Sequence, residues 1–125
     1  MALELKALHQ VALHSSDLDR SRTFYEDTLG ATFLALYQPP GLLFFDFSGV
    51  RLLLENGAGR SVVYFQVPDI QSAYDELSAR GVAFESAPHM IFKDDAGTFG
   101  EAGKEEWMAF FKDPDGNTLA LASRQ

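Results

Sequence analysis

The sequence predicts an α+β fold in which two tandem βαβββ modules form a curved sheet around a cleft. The main observation is an internal repeat, because residues 10–33 and residues 62–84 show the same order of patterns. In each copy an alternating run ends at an aspartate, a helix-length stretch follows, and a glycine precedes a β-branched or aromatic run. The repeat indicates one domain over residues 1–125, with modules at residues 5–57 and 60–123.

The first module begins with residues 9–15, which alternate as a half-buried strand does. Asp17 is a helix N-cap candidate, and Gly30 is a helix C-cap signal. The apolar residues between them are spaced to cover a sheet. Short runs separated by proline and glycine then predict strands over residues 31–37, 42–48 and 50–55.

The second module repeats this order with a strand over residues 62–67 and a helix from Asp69 to near Gly81. Residues 82–85 are predicted to start the next strand, and residues 107–111 and 117–122 to form the last two. Residues 93–106, which precede the strand at residues 107–111, are polar and contain glycine, and they predict a long mobile hairpin or lid.

Composition excludes several classes of function. The net charge of −8 disfavours nucleic acid and anionic membranes as partners, because an acidic surface repels both. The absence of cysteine excludes disulfides, thiolate metal sites and a cysteine nucleophile. No apolar run is long enough to span a membrane. These observations predict a soluble, cytoplasmic protein.

Two motifs resemble those of the vicinal oxygen chelate superfamily, which includes glyoxalase I, bleomycin-resistance proteins and extradiol dioxygenases. They are the stretch from Asp17-Leu18 to Phe24-Tyr25, and the run from Phe110 to Asn117. The resemblance covers essentially the whole chain and implies the glyoxalase/bleomycin-resistance fold. It also implies a homodimer and, in catalytic members, a divalent metal ion in the cleft.

The metal positions implied by the resemblance fall on Gln10, Leu53, Val62 and Ala120. Three of these side chains cannot coordinate a metal, and one amide oxygen does not make a site for a divalent ion. The sequence therefore predicts no metal and no other cofactor. It is closer to the metal-free, bleomycin-resistance-like branch of the superfamily.

The predicted function is binding of a small apolar or aromatic molecule in the cleft between the modules. An apolar floor with a few polar anchors is typical of such sites. Strand alternation and the family register predict these ligand-binding residues: Gln10, His14, Arg51, Glu55, Tyr64, Gln66, His89, Met108 and Phe110. No catalytic residue is assigned.

Four alternatives stay open at this point. His14 and Glu55 could form an acid–base pair, or simply a salt bridge at the rim of the cleft. His9, Glu55 and His89 could hold a displaced metal for a lyase, isomerase or dioxygenase. Large side chains could also fill the cleft, or the chain could be a ligand-sensing module without catalysis.

Overall fold

A computed structural model describes residues 3–57 and 61–125 of the chain. The helices are α1 (Leu18–Arg22), which continues as a π-helix over Thr23–Thr28, and α2 (Ile70–Ala79). The strands are β1 (Ala7–His14), β2 (Thr32–Tyr37), β3 (Leu42–Phe47), β4 (Val50–Glu55), β5 (Val62–Gln66), β6 (His89–Asp94), β7 (Lys104–Lys112) and β8 (Thr118–Arg124). The order βαβββ occurs twice, so the predicted α+β fold class is confirmed.

The chain divides into two compact units, which are described separately. The first unit comprises Gln10–Val62. The second unit comprises the N-terminal residues up to His9 together with Val63–Gln125.

Both helices begin where the sequence predicts, at an aspartate with extended backbone. The Asp17 side chain accepts a hydrogen bond from the Arg20 backbone N–H at 3.1 Å. Asp69 accepts one from the Ser72 N–H at 3.2 Å. Each aspartate satisfies a backbone donor that lacks an intrahelical partner, which stabilises the first turn.

The sheet of the first unit has the strand order β2-β3-β4-β1. β1 runs parallel to β4, and the other neighbours are antiparallel. Alternate residues of β3 and β4 turn toward α1, where they form a buried core of Leu18, Leu43, Phe45 and Leu54. The residues between them lie on the opposite face of the sheet.

The sheet of the second unit has the order β5-β8-β7-β6. Its buried core lies on the α2 side and comprises Val67, Ile70, Ala73, Ala109, Phe111 and Leu121. The alternate residues of β7 and β8 therefore lie on the face away from α2. β6 ends this sheet and exposes three consecutive apolar side chains, Met90, Ile91 and Phe92.

The predicted strand at residues 82–85 is wrong. Phe84 makes only one isolated bridge, to Phe111. Its ring packs between Tyr74 and Phe111, with centroid distances of 4.7 and 5.0 Å, so this segment is held by aromatic packing. Pro88 follows and lacks the N–H that a strand ladder needs, and the strand begins only at His89.

The predicted long hairpin is present but shorter than expected. β6 reaches Asp94 and β7 starts at Lys104, so residues 95–103 form the loop. Its mobility stays a prediction. In the described part of the chain, no helix is long and apolar enough to cross a membrane.

Candidate functional site

Each unit has a sheet face turned away from its helix, and these two faces carry most of the predicted ligand residues. The first-unit face comprises Gln10, Ala12, His14, Phe44, Arg51, Leu53 and Glu55. The second-unit face comprises Tyr64, Glu106, Met108, Phe110, Ala120, Ala122 and Arg124.

The first-unit face contains a buried polar pair. Arg51 Nε donates to Gln10 Oε1 at 3.0 Å, and the two residues are partners across β1 and β4. Gln10 is 2% exposed and Arg51 is 8% exposed. The Arg51 guanidinium carbon lies 5.9 Å from the Phe44 ring centroid, within cation–π range. Because the amide oxygen accepts from Arg51, the orientation of the Gln10 amide is set.

His14 and Glu55 are neighbours, as the sequence predicts, since they are partners across β1 and β4. His14 is exposed and Glu55 is half-buried. Within residues 3–57 and 61–125, neither a hydrogen bond nor an ion pair joins their side chains. The structure therefore forms neither the acid–base pair nor the salt bridge that the sequence leaves open.

The second-unit face is apolar at its centre. The Tyr64 and Phe110 rings meet edge to face, with centroids 5.9 Å apart and an interplanar angle of 79°. Met108 lies two residues before Phe110 on the same face and is buried beside Ala122 of β8. Tyr64 is buried as well, so the half-buried Phe110 ring is the part of this apolar cluster that solvent reaches.

One end of this face carries a chain of hydrogen-bonded polar side chains that the sequence did not predict. His9 Nε2 lies 3.0 Å from Glu106 Oε1. Arg124 Nη1 donates to Glu106 Oε2 at 2.8 Å, and Arg124 Nη2 donates to Asp94 Oδ2 at 2.8 Å. We call His9, Glu106, Arg124 and Asp94 the ionic chain.

The two carboxylates of the ionic chain are buried. Asp94 is fully buried and Glu106 is 2% exposed. Buried carboxylates require hydrogen-bond partners, and the single guanidinium of Arg124 donates to both Asp94 and Glu106. Glu106 in turn orients the His9 imidazole, an arrangement that proteins use to hold a histidine in one tautomer. His9 is thus a packed residue, and its partner is 97 residues away in the sequence.

Two other predicted ligand residues lie at the margin of the second unit. Gln66 is exposed at the end of β5. His89 is the partner of Met108 across β6 and β7 but is exposed, and its Nδ1 lies 3.1 Å from the Ala87 carbonyl oxygen. Their role in binding stays a prediction.

The pKa of Asp94 lies below its ordinary value of 3.8. Burial alone would raise it, but hydrogen bonds from the Phe99 N–H, the Arg124 guanidinium and the Thr98 N–H favour the carboxylate and lower it. Because the folded-state pKa is the lower one, ionised Asp94 stabilises the fold above pH 3.8. This contribution is lost as the pH falls through the depressed value.

We therefore expect the free energy of unfolding to fall when the pH drops from about 5 to 2, with Asp94 contributing to the decline. Asp94→Asn should be less stable than the natural chain at pH 7 and should decline less steeply in acid. Urea denaturation at a series of pH values measures both. Parallel declines in the two proteins would show that Asp94 is not a source of the acid sensitivity.

The residues at the family's metal positions do not fit a divalent metal. Leu53 and Ala120 have no donor atoms, and the Gln10 oxygen already accepts from a guanidinium, whose positive charge disfavours a cation beside it. Among the described residues, no group of three or more histidine, aspartate or glutamate side chains is placed to hold a metal ion. The alternative metal site at His9, Glu55 and His89 gains no support from this.

A small surface depression of about 10 Å³ lies elsewhere in the second unit. It is lined by Leu3, Glu4 and the first turns of α2, and it touches none of the predicted ligand residues. The depression therefore lends no support to the predicted site.

Sequence comparison agrees with this architecture and defines the class of protein. Residues 7–121 match the Glyoxalase/Bleomycin resistance protein/Dioxygenase superfamily. The chain belongs to this superfamily, and the resemblance stated above is confirmed.

Individual relatives are distant. The uncharacterised protein YraH of Bacillus subtilis (strain 168) is 26% identical over 135 residues, covering 91% of this chain and 95% of YraH. A glyoxalase/bleomycin resistance protein/dioxygenase superfamily member from Vibrio splendidus 12B01 is 19% identical, with a TM-score of 0.69 and coverage of 95% and 100% of the two chains. Methylmalonyl-CoA epimerase from Mycobacterium tuberculosis is 16% identical, with a TM-score of 0.70 and coverage of 98% and 91%. At these identities the two structures support the fold alone.

Proposed function

We propose that this chain binds a small apolar or aromatic molecule on the second-unit face, without a metal ion. The observation that carries the proposal is an apolar cluster of buried Tyr64 and Met108 with half-buried Phe110, on a sheet face that ends at the buried pair of His9 and Glu106. An apolar surface with a few fixed polar groups at one end is the usual composition of a small-molecule site.

The apolar and polar parts have different roles in this proposal. The perpendicular Tyr64 and Phe110 rings offer a face and an edge to an aromatic ligand, and the Met108 thioether adapts to its outline. The ionic chain adds a fixed hydrogen-bonding group for one polar substituent.

Phe110→Ala should weaken binding of an aromatic probe such as naphthalene by about tenfold or more, because it removes one ring of the aromatic pair. Phe110 is only half-buried, so the variant should still fold. Chemical-shift perturbation in NMR titrations measures the affinity. Phe47→Ala is the matched control, since Phe47 is exposed on β3 of the first unit. Equal affinity of natural chain and Phe110 variant, or no binding to either, would contradict the proposal.

A metal-dependent lyase, isomerase or dioxygenase is the alternative function. Among the described residues, no cluster of metal-binding side chains favours it. Elemental mass spectrometry of protein purified without chelators tests this directly. Stoichiometric metal would contradict the metal-free proposal.

Homodimer formation and a cytoplasmic location remain predictions from the sequence and the family resemblance. Catalysis is not assigned to the chain.

A further inference from the structure

Arg124 joins two parts of the second unit that are far apart in sequence. Its guanidinium donates to Glu106 on β7, to Asp94 at the end of β6, and to the Glu101 carbonyl oxygen inside the loop 95–103, at 2.7–2.8 Å. One planar group thus contacts both the loop and the residue that holds His9.

The loop 95–103 is built around Asp94. The two carboxylate oxygens of Asp94 accept hydrogen bonds from the Thr98 and Phe99 backbone N–H groups, each at 2.8 Å. The Asp94 carbonyl oxygen accepts from the Gly103 N–H at 2.7 Å. The conformation of the loop therefore depends on the position of one buried carboxylate.

The loop also touches Arg124 directly at Gly100. A Cβ atom at Gly100 would lie 3.2 Å from Arg124 Nε and 3.3 Å from Nη2. The backbone of the loop thus lies close to the guanidinium, and a side chain here would push the guanidinium by a few tenths of an ångström.

We propose that Arg124 couples the conformation of the loop 95–103 to that of the His9–Glu106 pair. A guanidinium is a rigid fork whose N–H groups have fixed directions, so it cannot follow Asp94 without changing its geometry at Glu106. Displacement of the loop therefore moves Glu106 and, through it, the His9 imidazole. The coupling stands on these contacts alone. Its use in controlling the polar end of the second-unit face rests on the proposed function.

The first test perturbs the loop and observes the far end of the ionic chain. Gly100→Ala pushes on the guanidinium without removing any charge, and the His9 imidazole ¹H–¹⁵N signals report the effect. Gly103→Ala is the matched control, because it has a positive φ like Gly100 but nothing within 4 Å of its added Cβ. We expect the His9 signals to shift in the Gly100 variant and to stay in place in the Gly103 variant. Unchanged His9 signals in the Gly100 variant, or equal shifts in both, would overturn the coupling.

The second test runs in the opposite direction, since coupling between two sites is reciprocal. Glu106→Gln removes one of the two carboxylates that position the Arg124 guanidinium. The hydrogen bond from Arg124 to Asp94 should therefore weaken. Hydrogen exchange of the Thr98 and Phe99 amides should accelerate about tenfold or more. The Val67 amide, which donates to the Ala122 carbonyl oxygen in the sheet, reports whether the unit as a whole has been destabilised.

Glu105→Gln is the control for this second test, because Glu105 is adjacent in sequence but accepts from Trp107 Nε1 instead of Arg124. Exchange at Thr98 and Phe99 that stays the same, slows, or accelerates only as much as at Val67 would count against the proposal. If Gly100→Ala fails to fold, Arg124→Lys replaces it. That variant keeps the positive charge but loses the planar guanidinium. It must both shift the His9 signals and change hydrogen exchange at the Thr98 and Phe99 amides. None of these experiments contains a ligand, so their failure leaves the proposed function standing.

Discussion

Arg124→Ala should lower the free energy of unfolding by about 3–5 kcal/mol. The reason is that one guanidinium compensates two buried carboxylates, those of Asp94 and Glu106. Removing it leaves both negative charges in a part of the protein where water does not replace the lost hydrogen bonds. Urea denaturation at pH 7 measures the loss.

Two comparisons make this result specific to the ionic chain. Arg80→Ala removes an exposed arginine whose ion pair with Glu76 is 3.7 Å long, so it should change stability by less than about 1 kcal/mol. Adding Asp94→Asn and Glu106→Gln to the Arg124→Ala chain removes the uncompensated charges. This triple variant should recover part of the loss, and a variant that recovers none would show that packing, not charge, explains the effect.

Phe45→Ala is expected to have a comparable effect, about 3–5 kcal/mol, on the first unit. Phe45 is fully buried between strand β3 and helix α1. Its ring contacts those of Tyr25 and Phe33, with centroids 5.5 and 6.3 Å away. Truncation removes these contacts and leaves a cavity that the rigid sheet does not close.

Phe47 on the same strand provides the comparison for this variant. It is 45% exposed, so Phe47→Ala should cost less than about 1.5 kcal/mol, measured by the same denaturation experiment. Phe45 and Phe47 share one face of β3 and differ in burial, so equal losses in the two variants would mean that burial of the Phe45 ring does not account for the effect.

The fold was predictable because its signals are local. The strands β2, β3 and β4 lie within one residue of their predicted bounds, since each is a short apolar run between glycine or proline turns. Asp17 and Asp69 mark the helix starts through a contact three residues away. The repeat supplied the remaining evidence, because the second copy confirms the pattern of the first.

The sequence-based predictions were wrong or incomplete where the structure depends on contacts between residues far apart in the sequence. Residues 82–85 have the composition of a strand, but the Phe84 ring packs between Tyr74 and Phe111, and no local pattern indicates this. The pair His9–Glu106 depends on where the N-terminal strand lies relative to β7, which sequence spacing does not contain.

One signal for the ionic chain was nevertheless present. Glu106, Met108 and Phe110 alternate along a single strand, so the placement of Met108 and Phe110 on one face already implied Glu106 beside them. The same spacing aligns Arg124 with Ala120 and Ala122 on β8. The prediction placed Glu106 in a hairpin over residues 93–106 and therefore not on a strand. In the structure β7 begins two residues before Glu106, so Glu106 belongs to the strand.

The exposed strand β6 bears on how this protein behaves at high concentration. Met90, Ile91 and Phe92 lie at the end of a sheet, where an extended segment of another molecule can add a strand. At neutral pH the net charge of −8 makes copies of the chain repel one another and so opposes their nonspecific association. Near the isoelectric point of about 4.7 this repulsion disappears, so colloidal stability should be lowest where the sheet edge is no longer shielded by charge.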